Sequence, residues 1–173
     1  MSIKTIFLDR DGVINKDNNY VFKINDFEFI EGIFNVCSYF LDLGYEIIII
    51  TNQSGISRGY FDENQYKILT EWMITQFKKN QIKILDIFHC PHGPKSNCIC
   101  RKPKAGMLID AQNKYSIDMK KSWMIGDSER DIEAAVNAKL TNTILFNELQ
   151  SPIESQASYI VNSLEKIKNI ITN

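Results

Sequence analysis

Three aspartates stand directly after two apolar segments of the sequence. Asp9 and Asp11 follow the run at residues 4–8, and Asp127 follows the run at residues 122–126. Carboxylates gathered within a few ångströms repel one another and have raised pKa values unless a divalent cation lies among them, and hard oxygen ligands favour Mg²⁺. A phosphate group would supply further oxygens to the same ion. The pattern predicts phosphoryl transfer, in which one aspartate attacks phosphorus and another exchanges protons with the leaving alcohol and with water.

A hydroxyl and an ammonium group suited to a phosphate follow two further apolar runs. Thr51 comes directly after the run at residues 45–50, and Lys102 comes after the run at 84–89 and a short loop. Such groups neutralise and hydrogen-bond phosphate oxygens as charge shifts in the transition state. Taken singly, each of these motifs also fits a turn or a helix cap. Four motifs in fixed order, each after a different apolar run, favour a catalytic site.

Residues 90–102 contain three of the four cysteines and one of the two histidines. The spacing C-x-H-x5-C-x-C is typical of a closed structural zinc site, in which four protein ligands leave no position for water. The predicted zinc ligands are Cys90, His92, Cys98 and Cys100. Because this loop has little apolar core of its own, a metal would fix its shape and the direction of the two cations that follow it. Arg101 would then bind a second anionic group of the substrate as a bidentate donor, or else is a solvated surface cation.

Alternating strands and helices would position these side chains. Short apolar runs predict six buried strands, at residues 4–8, 45–50, 84–89, 122–126, 142–146 and 157–161. Amphipathic stretches predict helices at about 31–43, 62–80, 105–116, 128–138 and 162–171. Asp62 with Gln65, and Ser128 with Asp131, suit helix starts, and Gly44 suits a helix stop. This alternation predicts an α/β fold: a Rossmann-like parallel sheet with helices on both faces, with ligands bound beyond the carboxyl ends of the strands.

The composition is that of an ordinary globular protein. The chain has 173 residues, 44% of them hydrophobic, and no internal repeat or linker, so we expect a single domain over residues 1–173. A net charge of -1 does not indicate a nucleic acid or membrane partner. With no export or anchoring segment, and with cysteines spaced for a metal, we expect a cytoplasmic monomer. Cys37 is expected to be a buried apolar residue, and His89 a strand-end residue without a functional role.

The motif set DRDGVIN, ITNQSG, RKP and MIGDSERD resembles the four motifs of the haloacid dehalogenase (HAD) superfamily. This resemblance implies that Asp9 is the nucleophile and that Asp11 is the general acid and base. It implies that Thr51 and Lys102 stabilise the phosphoryl group. It also implies that Mg²⁺ binds to Asp9, to Asp127 and to the backbone carbonyl of Asp11.

The zinc loop narrows the resemblance to one family. The zinc loop, residues 90–102, and four further motifs resemble the heptose bisphosphate phosphatases over residues 5–135. The four motifs are FLDRDGVIN, TNQSGISRGYF, CRKP-x-x-GML and MIGDSERD. Such enzymes remove the 7-phosphate of D-glycero-D-manno-heptose 1,7-bisphosphate, in the route to nucleotide-activated heptose for lipopolysaccharide or capsule. The implied substrate contacts are Asp17, Asn18, Asn19, Tyr20, Thr51, Asn52, Gln53, Ser54, Arg101 and Lys102. Asp131 is implied to hold Lys102 in place, and Val13 stands where the family usually has Thr.

The spacing between Asp11 and Thr51 predicts a small enzyme with an open pocket. Only about forty residues separate Asp11 from Thr51, and a predicted helix uses many of them, so a separate cap domain has no room. Loops at residues 13–30 and 55–61, together with the zinc loop, are expected to wall the pocket.

Two other functions stay open at this point. Histidinol-phosphate phosphatases share the DRDG motif and the zinc loop, so that only the substrate separates the two families. A zinc-binding interaction module without catalysis would need a basic face if it bound nucleic acid. The net charge of -1 and the full set of carboxylates favour the enzyme.

Overall fold

Six parallel strands form one sheet in the computed structural model, which describes residues 2–149 and 154–172. In chain order the strands are β1 Thr5–Leu8, β2 Glu46–Asn52, β3 Asp86–Cys90, β4 Trp123–Gly126, β5 Asn142–Phe146 and β6 Tyr159–Val161. Their order across the sheet is β3-β2-β1-β4-β5-β6. Both ends of each strand lie within two residues of the ends of a predicted apolar run. The predicted α/β fold is confirmed.

Helices connect the strands. The described α-helices are α1 Ile33–Asp42, α2 Glu63–Lys79, α3 Gly106–Tyr115 and α4 Glu129–Asn137. Short 3₁₀ helices lie at Ile24–Asp26, Met119–Lys121 and Leu164–Asn169. The last of these stands where an α-helix was expected at 162–171. Its buried residues, Leu164 and Ile167, are three apart, which matches the three residues per turn of a 3₁₀ helix. Among the described residues, no helix is long and apolar enough to cross a membrane.

The helix ends follow the predicted capping residues. Asp62 and Gln65 exchange side-chain and backbone hydrogen bonds at the start of α2. At the start of α4, the backbone N–H and the hydroxyl of Ser128 donate to Oδ2 of Asp131, at 3.1 and 2.9 Å. Gly44, with a φ of 76°, ends the turn after α1 in the left-handed region that favours glycine. These caps fix where the loops between the elements begin.

Alternate strand residues bury two separate cores, one on each face of the sheet. Ile6 and Ile49 belong to the core that α1, α2 and the C-terminal 3₁₀ helix cover. Phe7 and Ile48 belong to the core that α3 and α4 cover. A strand that is buried on both faces has a continuous apolar sequence. This is why the apolar runs of the sequence predicted the strands.

The chain reverses direction across the sheet between β1 and β4. It proceeds from β1 to β2 and β3 on one side and then returns to β4 on the other side. Leu8 pairs with Ile125, and the N–H of Asp9 donates to the carbonyl of Ile125 at 3.0 Å, so that the residues after both strands start at the same level. In open α/β sheets a crevice for ligands forms at such a reversal, beyond the carboxyl ends of the strands.

Candidate active site

The crevice beyond β1 and β4 contains a cluster of three carboxylates. One oxygen each of Asp9, Asp127 and Asp131 lies within 4.8 Å of the others. Gly12 allows this approach, because its φ is 89° and a Cβ at this position would overlap the carboxylate of Asp127. Burial, followed by repulsion from Asp131, raises the pKa of Asp9 well above its ordinary value and the pKa of Asp127 to about 7. The cluster therefore carries negative charge that the fold does not fully compensate.

Lys102 is the cation within this cluster. Its ammonium lies 2.9 Å from Oδ1 of Asp9 and 2.6 Å from Oδ1 of Asp131, and it donates to the carbonyl of Ile50 at 2.8 Å. Burial alone would lower the pKa of Lys102, but the attraction of Asp131 and Asp9 outweighs it and raises that pKa, so the ammonium stays charged. One ammonium faces three carboxylates. The remaining oxygens of Asp9 and Asp127 are hard donors that fit a magnesium ion.

The carboxylate of Asp11 lies apart from this cluster. Its Oδ1 accepts hydrogen bonds from Nη2 of Arg10 at 2.8 Å and from Nδ2 of Asn15 at 3.0 Å, and its Oδ2 accepts one from Nε2 of Gln53 at 2.9 Å. The side chain remains 21% exposed and lines the pocket. It is therefore placed to exchange a proton with a group in the pocket. The predicted magnesium contact through its backbone carbonyl stays a prediction.

The residues that end β2 hold other site residues in position. Gln53 donates to Oγ1 of the buried Thr51 at 2.8 Å as well as to Asp11. The amide of Asn52 accepts from the backbone N–H of Lys102 at 3.0 Å and donates to the carbonyl of Lys102 at 3.1 Å. Both amide side chains thus bind protein groups as well as facing the pocket. Their contact with substrate stays a prediction.

Most of the predicted substrate contacts line one pocket. The lining includes Asp17, Asn19, Tyr20, Asn52, Gln53, Ser54, Arg101 and Lys102. Asn18 lies instead in a neighbouring depression beside Asn25, and the buried Thr51 lies behind Gln53. Arg58 and Arg130 also line the pocket, which gives it four cationic side chains with Arg101 and Lys102. The same lining contains five aspartates, so binding of a substrate with more than one anionic group would depend on individual cation–anion pairs and not on the overall charge of the pocket.

Two loops meet at the mouth of the pocket, as predicted. The ring of Tyr20 packs edge-on against Tyr60 with the centroids 4.7 Å apart, and Phe22 stacks on Phe61 at 5.2 Å. Tyr20 has a φ of 58°, in the left-handed region that non-glycine residues rarely adopt. The aromatic contacts join residues 13–30 to residues 55–61, so these loops form one continuous wall.

The four predicted zinc ligands converge. Their ligand atoms, Sγ of Cys90, Cys98 and Cys100 and Nδ1 of His92, lie within 4.8 Å of one another. The Cys90 and Cys98 sulfurs are 3.8 Å apart, which matches two thiolates on a tetrahedral zinc with bonds of about 2.3 Å, whereas the Cys90 and Cys100 sulfurs are closer together, at 2.9 Å. Burial raises the pKa of Cys90 to about 12. At Cys98 hydrogen bonds led by the N–H of Arg101 outweigh burial and lower the pKa to about 6, whereas burial raises the pKa of Cys100. The convergence of three sulfurs and one imidazole nitrogen is what fits a zinc ion.

The loop at residues 90–102 directs Arg101 toward the pocket. Nη1 of Arg101 donates to the carbonyl of His92 at 3.0 Å, and the guanidinium lines the pocket. Nζ of Lys104 donates to the carbonyl of Cys98 at 2.5 Å. The shape of the loop and the direction of the cation are therefore coupled.

Two arginines of the site were missed in the sequence. Arg130 lines the pocket from the first turn of α4, and the MIGDSERD motif contained it without any signal for its direction. Arg10 is buried with 2% exposure and bonds to Asp11. Its position between two aspartates at the end of a buried strand was the available signal, since a cation there must pair with a carboxylate.

Comparison with known proteins gives three findings. A family model described as HAD-hydrolase-like matches residues 99–167. The chain is 52% identical over 148 residues to the D-glycero-alpha-D-manno-heptose-1,7-bisphosphate 7-phosphatase of Campylobacter jejuni, covering 86% of this chain and 85% of that protein. It is 46% identical over 177 residues to the enzyme of the same name from Photorhabdus laumondii, covering 98% and 97%.

A solved structure gives the same likeness in three dimensions. The D,D-heptose 1,7-bisphosphate phosphatase from B. bronchiseptica, complexed with magnesium and phosphate, superposes with a TM-score of 0.85 at 29% sequence identity. The match covers 95% of this chain and 96% of that chain.

Proposed function

Because the chain belongs to the heptose 1,7-bisphosphate 7-phosphatases of the HAD superfamily, we propose that it removes the 7-phosphate of D-glycero-D-manno-heptose 1,7-bisphosphate. One observation carries this proposal. Asp9 lies in the crevice at the end of β1, within 4.8 Å of Asp127 and 2.9 Å from the ammonium of Lys102. A nucleophilic carboxylate, a cation ligand and a phosphate-binding ammonium are thus in contact distance of one transferring group.

In the first step, a carboxylate oxygen of Asp9 forms a bond to phosphorus and the bond from phosphorus to the sugar oxygen breaks. The departing oxygen takes a proton from the Asp11 carboxyl group. The backbone N–H of Arg10 donates to Oδ1 of Asp9 at 2.7 Å, and Lys102 contacts the same oxygen. These two donors fix the rotation of the nucleophilic carboxylate, so that a defined oxygen faces the phosphate.

In the second step, the Asp11 carboxylate removes a proton from water, and the water oxygen attacks phosphorus. The bond between phosphorus and Asp9 breaks, which releases inorganic phosphate and restores the free carboxylate. Gln53 bonds to both Asp11 and Thr51, so the acid is held at a fixed distance from the buried Thr51 hydroxyl behind the pocket wall. Pre-set positions of this kind lower the barrier because nothing has to reorganise during the reaction.

Two metals fit the residues present. Mg²⁺ bound to Asp9, Asp127 and the backbone carbonyl of Asp11 would supply positive charge beside the transferring phosphoryl group. Zinc bound to the four loop ligands would fix the loop without an open position for chemistry. The chain's own contribution is the net negative cluster for the first metal and the converged thiols for the second.

Arg101 is proposed to bind the second phosphate of the substrate. Its guanidinium is anchored to the zinc loop and lines the pocket, where a bidentate pair with a phosphate is possible. Arg58 and Arg130 add positive charge to the same wall. Histidinol phosphate carries an ammonium group in place of a second phosphate, so a phosphate-binding role of Arg101 would favour the bisphosphate sugar.

Phosphate release from both anomers of the heptose bisphosphate and from histidinol phosphate tests the proposal. We expect the bisphosphate to be preferred, with ³¹P spectra showing that the 1-phosphate remains on the sugar. Arg101→Gln should lower kcat/KM roughly 10- to 100-fold for the bisphosphate and only slightly for a monophosphate, because one charged hydrogen-bond pair is lost. Equal losses on both substrates, or preference for histidinol phosphate, would refute the substrate assignment.

A further inference from the structure

Arg10 is the largest of the fully buried side chains among the described residues, with 2% exposure. It lies between Asp9 and Asp11 in the sequence, at the point where β1 ends. Its carbonyl accepts hydrogen bonds from the N–H groups of Ile14 at 2.8 Å and Asn15 at 3.2 Å, which closes the turn after the strand. The backbone of Arg10 is therefore fixed by the turn, and its side chain is enclosed in the protein.

The guanidinium of Arg10 joins two parts of the site. Nη2 donates to Oδ1 of Asp11 at 2.8 Å and to the carbonyl of Val21 at 2.8 Å, and Nε lies 3.3 Å from the same carboxylate oxygen. Val21 follows Tyr20 directly in the loop that lines the pocket. A buried cation needs a compensating charge and satisfied donors, and here Asp11 supplies the charge.

We propose that Arg10 is a positioning residue that holds the carboxylate of Asp11 and the pocket loop at Val21 in one fixed arrangement. The inference rests on the proposed role of Asp11 as the acid that protonates the leaving alcohol. Proton transfer requires the donor within hydrogen-bond reach of the departing oxygen. The loop contacts the substrate and Arg10 contacts both the loop and the acid, so Arg10 sets the distance between acid and substrate.

The other donors to Asp11 do not replace this contact. Asn15 bonds to the carboxylate from the start of the loop at residues 13–30 and Gln53 from the end of β2, whereas among the described residues Arg10 alone bonds both to the carboxylate and to Val21, next to Tyr20. Without the guanidinium, the carboxylate keeps the neutral donors Asn15 on Oδ1 and Gln53 on Oδ2 but loses its charged two-point contact, in which Nη2 and Nε both face Oδ1. The acid then loses its tie to Val21 and can shift relative to that part of the loop, while the nucleophile Asp9 keeps its bond to Lys102.

Leaving-group dependence tests the proposal. A sugar oxygen needs a proton to depart, whereas para-nitrophenolate leaves without one. Arg10→Met should therefore lower kcat/KM roughly 100-fold for the heptose bisphosphate and by no more than about threefold for para-nitrophenyl phosphate. In an Asp11→Asn background, Arg10→Met should change kcat/KM for the sugar ester by no more than about threefold, since effects through a shared group are not additive.

The outcomes separate this inference from the proposed function. The role of Asp11 stands if Asp11→Asn lowers kcat/KM for the sugar ester much more than for para-nitrophenyl phosphate. The role of Arg10 is refuted if Arg10→Met lowers kcat/KM equally for both esters, or if its full loss is added to that of Asp11→Asn. If Asp11→Asn shows no leaving-group dependence, the acid assignment fails and the role of Arg10 fails with it. Thermal unfolding and zinc content check the fold of each variant. If Arg10→Met does not fold, Arg10→Lys serves instead, because it keeps the charge but not the two-point contact, and should show the same selectivity.

Discussion

The ammonium of Lys102 lies 2.6 Å from Oδ1 of Asp131, and both side chains are almost completely buried. The other oxygen of Asp131 accepts two hydrogen bonds from Ser128 at the start of α4. The carboxylate is therefore oriented by the helix cap, and the ammonium is oriented by the carboxylate. This chain of contacts sets where Lys102 meets Asp9, and with it the position of the transferring phosphoryl group.

Asp131→Asn is expected to lower kcat roughly 10- to 100-fold with a smaller change in KM. The amide keeps the shape of the side chain but no longer attracts the ammonium, and a small displacement of a reacting group has effects of this size. Steady-state kinetics on the heptose bisphosphate measure the change. Asp110→Asn, on the exposed side of α3, is the matched control and should keep full activity. A fully active Asp131→Asn enzyme would mean that Lys102 needs no such support.

The metal-free protein is expected to lose stability as the pH rises toward neutrality. Burial raises the pKa of Asp127 to about 7 and that of Asp9 well above its ordinary value, so the folded state retains protons that the unfolded chain releases. The resulting stabilisation is complete below the ordinary carboxyl pKa of about 4 and is lost as the pH rises through about 7.

Magnesium should replace these protons, so it should raise the unfolding temperature more at about pH 8 than at about pH 5. Thermal unfolding with and without Mg²⁺ at both pH values measures this difference. In Asp127→Asn the difference should shrink, because one of the two titrating ligands is gone. The same magnesium effect at both pH values would contradict the assignment of these carboxylates as ligands.

Freshly purified protein is expected to contain about one zinc per chain. The thiol and imidazole atoms of the four loop ligands already converge, and zinc bound by four protein ligands resists mild chelation. Cys98→Ser should lower the zinc content and raise KM for the bisphosphate, because Arg101 is anchored to the loop at His92. Cys37→Ala is the matched control: Cys37 is buried in the core away from the loop, so elemental analysis should find its zinc unchanged. Zinc-free wild-type protein with full activity would contradict the structural role.

Asn52→Ala is expected to lower kcat roughly 10- to 100-fold, because the amide holds Lys102 through both its backbone N–H and its carbonyl. Asn18→Ala should leave kcat and KM unchanged, since Asn18 lies in the neighbouring depression and not in the pocket. Kinetics of the two variants on the same substrate compare them directly. If Asn18→Ala had the larger effect, the assignment of the pocket wall would be wrong.

Local sequence patterns were sufficient for much of this fold. Buried runs such as residues 45–50 identified the strands, and Asp62 with Gln65 identified the start of α2, because each signal lies within a few residues. The six-strand order was not available, since it depends on which side of β1 each crossover packs.

The site likewise could be predicted only where local sequence signals determine it. Asp9, Asp127 and Lys102 were identified because strand ends at one edge of a sheet must meet. The bond from Arg10 to Val21 was not predicted, because it depends on how the irregular loop after β1 folds back. Contacts made by irregular loops leave no periodic signal in the sequence.

Covalent transfer of phosphate to Asp9 is the central claim, and the phosphorylated enzyme tests it most directly. Asp11→Asn protein, which lacks the base that activates water, should accumulate phosphate on Asp9 when mixed with para-nitrophenyl phosphate, whose leaving group needs no proton, and quenched in acid. Mass spectrometry of the peptide that contains residue 9 is the measurement, with Asp9→Asn as the control that lowers turnover more than about 10³-fold. The account predicts phosphate on Asp9 alone; an unmodified peptide under these conditions, together with substantial turnover by Asp9→Asn, would contradict it.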